Sequence, residues 1–342
     1  MNRIPFPSST LSFISLLLAP CLPTHLQAAP ATPDAVDIHL AGKLVGRFQV
    51  AHDVSSNKAR KETYKPFLHL FDPEGKNLIT KGAGGEYTHH RGIFIGWMKM
   101  GFEGQTFDRW HMIGGEQVVQ GKVRLIEGEK MSSAESTVHW NDAEGNPFVI
   151  EERSFTFHAP PAPAYVMIDF QSNLKAPRGT VTLDGDAEHA GIHIRPSDSV
   201  DRKHTAYLFP GNETNPRKAL DLPWIGETIS MDGKTYSIIQ FNHPENPSGT
   251  KSSAYRDYGR MGMFPTASIP AGGSLVLRYR FLVSEGDFPE ASFIQSVANS
   301  FTGKTDPVPA VTRRHADVPP PPKPKKTNDS KTKPAPAAGT AP

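Results

Sequence analysis

Alternation of apolar and polar residues dominates the chain. A β-strand turns successive side chains to opposite faces, so a period of two marks half-buried strands. That period predicts strands over 43–50, 122–126, 135–140, 149–157, 165–170, 179–183, 235–241 and 274–283. Turn-forming clusters separate them: Asp72-Pro73-Glu74-Gly75, residues 141–147, Met231-Asp232-Gly233 and Ala271-Gly272-Gly273. One segment, 289–301, keeps helical spacing, with Pro289 suited to a first turn and Ile294, Val297, Ala298 and Phe301 on one face. It is expected to pack on a sheet edge. The pattern as a whole predicts an all-β fold, a large antiparallel β-sandwich of two packed sheets with one C-terminal helix. Heptads and long internal repeats are missing from the sequence.

The pattern changes character at 86–97, where two histidines and an arginine open an apolar run. Read as one continuous strand, His89, Arg91, Ile93, Ile95 and Trp97 share a face, and His90, Gly92, Phe94 and Gly96 take the other. Polar groups at the mouth of a buried strand must be satisfied or exposed. They form either the floor of a functional site or a network that ties down a loop. Binding residues concentrate at element ends, which makes this run a candidate site.

The termini differ from the body. Arg3, a short apolar stretch over 11–22 broken by Ser12, Ser15 and Pro20, and the small residues Ala28 and Ala29 predict a signal peptide over 1–29, with the mature chain starting near Pro30. The stretch is too short to span a membrane. Leu18-Ala19-Pro20-Cys21 approaches a lipoprotein box, although Pro20 fits it poorly. Cys21 is the only cysteine, so cleavage removes disulfides, thiolate catalysis and thiolate metal ligation together. Residues 307–342 are rich in proline and lysine and predict a disordered tail. Without that tail and Arg3 the body carries a net charge of about −4, which argues against a nucleic-acid surface. The expectation is a single domain over 30–306, secreted or periplasmic, with no transmembrane segment and its oligomeric state open.

Six short motifs carry a resemblance. They are Lys65-Pro66-Phe67-Leu68-His69, Tyr87-Thr88-His89-His90-Arg91-Gly92, Phe107-Asp108-Arg109-Trp110-His111, Asp184-Gly185-Asp186-Ala187-Glu188-His189-Ala190-Gly191, His243-Pro244-Glu245-Asn246-Pro247 and Arg256-Asp257-Tyr258-Gly259-Arg260. In this order the chain resembles a bacterial family of secreted proteins labelled methane oxygenase PmoA, whose domain is of unknown function. A membrane methane oxygenase subunit would need several apolar spans of ~20 residues. The chain has none after its signal, so the label reads as a name and methane oxidation is not expected. The resemblance implies a fold similar to the supersandwich of galactose mutarotase-like proteins, which often bind or process carbohydrates. Fold alone does not assign function.

The motifs bring together histidines, arginines and carboxylates. Histidine moves protons near neutral pH or binds metal. Arginine holds carboxylates or hydroxyl pairs in a fork, and histidine with a carboxylate serves acid–base chemistry. The candidate catalytic residues are His89, His90, Arg91, His189 and Asp186, and the candidate substrate-binding residues are His69, Trp110, His111, Arg256, Tyr258 and Arg260. Trp97 reads as core because it ends an apolar run. The 256–260 segment is either a contact surface for anions or hydroxyls or a salt-bridged turn.

The local spacing contains no metal motif. His189 and His193 would share one face of a helix, but their flanks read as strand, which sets them ~13 Å apart. His89 and His90 would point to opposite faces. No cofactor is assigned, and a divalent metal held by histidines from different strands stays open. A glycine-rich dinucleotide loop and a P-loop are both missing. The sequence points to an exported carbohydrate-active enzyme of lyase, hydrolase or epimerase type, acting on a small molecule or glycan. The alternatives are a non-catalytic carbohydrate-binding or envelope-associated module and a histidine-metal enzyme.

Overall fold

The computed structural model describes residues 34–317; the predicted signal peptide at 1–29 lies outside them. Three antiparallel sheets make up the fold among the described residues. The first has the order β1 (Ala35–Leu40), β2 (Lys43–Gln49), β3 (Phe67–Leu70), β4 (Ile93–Trp97), β12 (Ala190–Ile194), β17 (Met261–Phe264) and β16 (Lys251–Ala254). The second has the order β20 (Val311–His315), β13 (Ala206–Pro210), β14 (Trp224–Met231), β15 (Lys234–Asn242), β19 (Ser274–Glu285), β10 (Ala164–Lys175), β9 (Pro147–His158), β8 (Met131–Asn141) and β7 (Gln117–Ile126). A small third sheet has the order β18 (Ala267–Ile269), β11 (Val181–Asp184), β5 (Lys99–Phe102) and β6 (Gln105–Phe107).

The first two sheets close over one core. Ile93, Ile95 and Trp97 of β4 and Ile192 and Ile194 of β12 meet Phe155 and Phe157 of β9 and Ile168 and Phe170 of β10. The rings of Phe48 and Phe155 lie 5.2 Å apart, and those of Trp97 and Trp140 6.1 Å apart. Each such fully buried side chain contributes about 1.5–3 kcal/mol. Trp97 is fully buried and donates its indole N–H to Pro265 O, as expected of a core residue.

The predicted β-sandwich class holds, and each predicted strand lies on an observed one. Three of the unpredicted strands share a cause. β3, β13 and β17 are buried on both faces, so they have no polar alternation to read, whereas β4 and β12 bear out the strand readings within 86–97 and around His193. A polar helix, α1 (Asn57–Thr63), was likewise invisible to apolar periodicity; the Ser56 hydroxyl caps it by accepting from Ala59 N at 3.1 Å.

Two expectations are corrected. The C-terminal helix, α2 (Ala291–Thr302), covers the face of the nine-stranded sheet rather than an edge, with Ile294, Val297 and Ala298 packed on Trp224, Ile239, Phe241 and Leu282. The folded chain also does not end at 306. Residues 311–315 form β20, paired with β13 from Val311↔Pro210 to His315↔Ala206. Ala316 N then donates to Thr205 O and Asp317 N to Tyr255 O, at 3.1 and 2.8 Å. This edge strand is exposed and polar, which gives it no apolar pattern in the sequence. The remainder of the predicted tail lies outside the described residues.

Candidate functional site

The site lies on the outer face of the seven-stranded sheet. Phe94 of β4 points away from the core and packs with Phe67 and Trp110 in a separate cluster. His193 of β12 joins them, its ring 4.7 Å from Trp110. Two glycines let this layer sit directly on backbone. A Cβ at Gly96 would strike the carbonyl oxygen of Arg109, and one at Gly262 would strike the His193 ring. The loop after β6 can then lie flat on β4, with Arg109 N donating to Trp97 O at 2.8 Å.

Three loops bring histidines together here. β6 and β11 each pair antiparallel with β5, so they run parallel and release their chains at the same end of the small sheet. Phe107 and Leu183 both stand opposite Met100. Directly beyond come two similar turns, Asp108-Arg109-Trp110-His111 and Asp186-Ala187-Glu188-His189. Asp108 accepts from Trp110 N and His111 N, at 2.9 and 2.8 Å, and from His111 Nδ1 at 2.8 Å. Asp186 accepts from Glu188 N and from His189 Nδ1, both at 2.8 Å. Burial pushes the Asp108 carboxyl up, but the bonds from the His111 side chain and backbone outweigh it and hold the group below the usual carboxylate range. Asp186 is held down the same way, by Glu188 N and His189 against its burial. A carboxylate only accepts, so both histidines carry a proton on Nδ1, and Nε2 is the ring nitrogen left outside the pair.

His89 is the third member. Its ring centroid lies 4.5 Å from that of His111 and 6.3 Å from that of His189, and His111 and His189 are 5.1 Å apart. One ring nitrogen from each of the three falls within 4.8 Å of the others, the spacing in which a single ion can be shared. His89 Nε2 is buried without a hydrogen-bond partner. Burial, reinforced by the Lys65 charge, lowers the His89 pKa to about 2, so its ring is neutral. Lys65 is itself buried, its ammonium donating to Trp110 O at 2.7 Å and lying 4.0 Å from the Phe94 ring centre.

His90, Tyr87 and Tyr258 line one side. The expectation that His89 and His90 point to opposite faces fails because 86–91 is a turn, not strand. Tyr87 takes a left-handed φ of 54°, His90 N donates to Tyr87 O at 2.8 Å, and the two imidazoles lie 4.3 Å apart. His90 is buried, with both ring nitrogens unpartnered, and burial holds its pKa far below the ordinary value. The Tyr258 ring lies 6.2 Å from His90 and 5.4 Å from the exposed Tyr87. Beyond His189, the Glu188 carboxylate accepts from Arg256 and from the Tyr255 hydroxyl, the latter at 3.0 Å.

Several candidates are placed elsewhere. Arg91 is not free for catalysis: fully buried, it donates to the carbonyls of Lys61, Glu62 and Thr88 and stacks 4.5 Å from Tyr64, closing the C-terminus of α1. His69 is buried against Thr80 Oγ1 at 3.0 Å, outside the cluster, and burial lowers its pKa to about 4. Trp110 is fully buried as part of the floor and has no face for a sugar. Arg260 is also buried, donating to Glu188 O and Ser253 Oγ. Asp186 lies behind His189, bonded to its Nδ1. His193, as expected, does not join His189 in the cluster; its Nε2–H donates to Ala190 O, 2.8 Å away. Asp108 was legible as an accompanying carboxylate but not as a partner of His111. The signal was the repeated Asp-x-x-His spacing, which overreaches alone, since Asp201 and His204 form the same pair at 2.8 Å outside the cluster.

A β-sandwich with a histidine-lined loop site is the class these observations define. The chain belongs to a family described as a family of unknown function (DUF6807), which matches residues 35–299. That match lends no support to the methane oxygenase label. No curated protein sequence matches the chain. Similar solved structures include heparan sulfate lyase HepC from Pedobacter heparinus, a mutant form, at 9% identity and a TM-score of 0.39, covering 77% of this chain and 38% of that one. A beta-arabinopyranosidase is similar at 10% identity and a TM-score of 0.36, covering 70% and 38%. A galactose mutarotase related enzyme from Lactobacillus acidophilus is similar at 6% identity and a TM-score of 0.36, covering 74% and 97%. The chain thus spans 38% of the length of the first two. Among the described residues no helix is long and apolar enough to cross a membrane.

Proposed function

We propose that this is an exported carbohydrate-active enzyme of lyase or epimerase type, centred on His89, His111 and His189. The observation that carries the reading is the convergence of three imidazoles, two of them oriented through Nδ1 by Asp108 and Asp186. A fixed neutral imidazole is suited to taking a proton from a carbon or hydroxyl. The exposed Tyr87 ring offers an apolar sugar face, and the Arg256–Glu188 pair offers donors and acceptors for hydroxyls. Hydrolysis by two carboxylates fits less well, because it needs an unengaged acid pair across the bond. Asp108, Asp186 and Glu188 are each committed to a histidine or an arginine. Export rests on the signal pattern at 1–29, and methane oxidation has no part in the reading.

The test is a melting-temperature screen of the purified protein against mono- and oligosaccharides, uronic acids included, followed by NMR in D2O. A ligand that binds only the folded state raises the melting temperature. The expected result is a shift with one sugar class, with deuterium incorporated at carbon or an unsaturated product formed. A shift without exchange or turnover would favour the binding-module reading. No shift across the panel would overturn the carbohydrate reading.

A further inference from the structure

We propose that His89, His111 and His189 bind one divalent transition-metal ion of the zinc class through their Nε2 atoms, with Asp108 and Asp186 as the outer carboxylates of the centre. This deepens the reading of the same three histidines as the functional centre. It stands or falls on metal binding alone, with no sugar involved.

The geometry supports it in four ways. First, the ring nitrogens fall within 4.8 Å of one another. Zinc–imidazole bonds of about 2.0–2.1 Å in tetrahedral geometry need nitrogens roughly 3.4 Å apart, so each ring moves inward by less than about 1 Å. Second, His111 and His189 each give Nδ1–H to a carboxylate at 2.8 Å. That bond orients the ring, fixes the tautomer and makes Nε2 a stronger donor, which is the usual support behind a metal-bound histidine. Third, His89 Nε2 is buried and has no protein partner, and a bound cation would satisfy it. Fourth, the two carboxylates offset the charge of a divalent ion close to the buried Lys65 and Arg260.

The donor set selects the metal. Three imidazoles suit zinc, cobalt, nickel, copper or iron, whereas magnesium and calcium require oxygen ligands. Three protein ligands leave at least one position open, the pattern of catalytic rather than structural zinc. His111 and His189 are partly exposed, so the open position faces solvent. An ion there would polarise a bound hydroxyl or carbonyl, or acidify a bound water. His90 and Tyr258 lie beside it to shape the ligand.

The experiment uses the full chain, stripped with a chelator and then titrated with zinc and with cobalt. The expected outcome is one ion per chain by elemental analysis, a raised melting temperature, and the visible bands of low-symmetry cobalt. His111→Ala and His189→Ala should each weaken binding at least 100-fold. Asp108→Asn, which keeps the side-chain size, should weaken it roughly 10–100-fold. His243→Ala, at the distant α2 end of the molecule, should change nothing. Circular dichroism confirms that each variant is folded. Stoichiometric loss of metal in folded His111→Ala and His189→Ala proteins supports the site. Folded wild type that takes up no ion, or variants that bind as wild type does, would overturn it. A sugar-induced shift in metal-free wild type that fails to bind zinc would overturn the metal site and leave the carbohydrate reading intact.

Discussion

Arg91 and His189 both belong to a histidine-rich motif region, yet the structure gives them opposite duties. Arg91 is consumed by three carbonyls and a tyrosine face. Its replacement by alanine should cost about 3 kcal/mol in urea unfolding, because buried acceptors lose their donor. His189 is partly exposed and bonded once, to Asp186. His189→Ala should therefore cost less than about 1.5 kcal/mol while abolishing turnover. His90→Ala should cost more than His189→Ala, since it empties a buried aromatic pocket. His69 contributes to a pH dependence of stability. The unfolded imidazole takes a proton near 6.5 and the folded one only near 4, so between these values the unfolded state binds more protons. Stability is lost as the pH falls through that window, by up to about 3 kcal/mol from this residue. His89 and His90, also held below the ordinary value by burial, cost stability over the same window, so His69→Asn should reduce the change in urea midpoint between pH 7 and pH 4.5 without abolishing it; an unchanged slope would remove His69 as a contributor.

At the scale of elements, alternation was the main signal that could be read from the sequence. β8, β9 and β10 keep one face buried over most of their length, and all were legible; β15 was legible too, although it is buried on both faces from Tyr236 to Asn242. β4 and β12, which carry the site, were legible as strand, but not which of their residues face the site, because both their faces are covered: one by the core and the other by the Trp110 layer. The histidines themselves were legible as residues, but their meeting was not. It depends on a turn at 86–91 where a strand was expected, and on two strands whose common direction only the pairing reveals. The same layering makes Gly96 sensitive. Gly96→Ala should push the Arg109 backbone off β4 and displace His111, lowering ligand or metal affinity more than it lowers the melting temperature. Equal loss of both would mean that the glycine serves the core alone.

For the whole molecule, the last strand matters beyond its length. β20 covers the edge of β13, and Asp317 ties down Tyr255, next to the Arg256–Glu188 pair. A chain ended at residue 306 should melt at least about 5 °C below one ended at 317 and aggregate more readily, since an open edge strand invites pairing between molecules. Equal melting temperatures would show β20 to be an ornament of the edge. The small sheet has a further role in the molecule's tolerance for change. The two Asp-x-x-His turns start from strands that face the same residue, Met100. A slip of either strand by one residue would carry its histidine about 3.3 Å and turn the side chains over. The histidines can give by less than about 1 Å if they are to hold one ion. The small sheet acts as a gauge with whole-number settings, of which one assembles the centre. Insertions and deletions between 99 and 107 or between 181 and 184 should therefore abolish the site outright, with no intermediate grades.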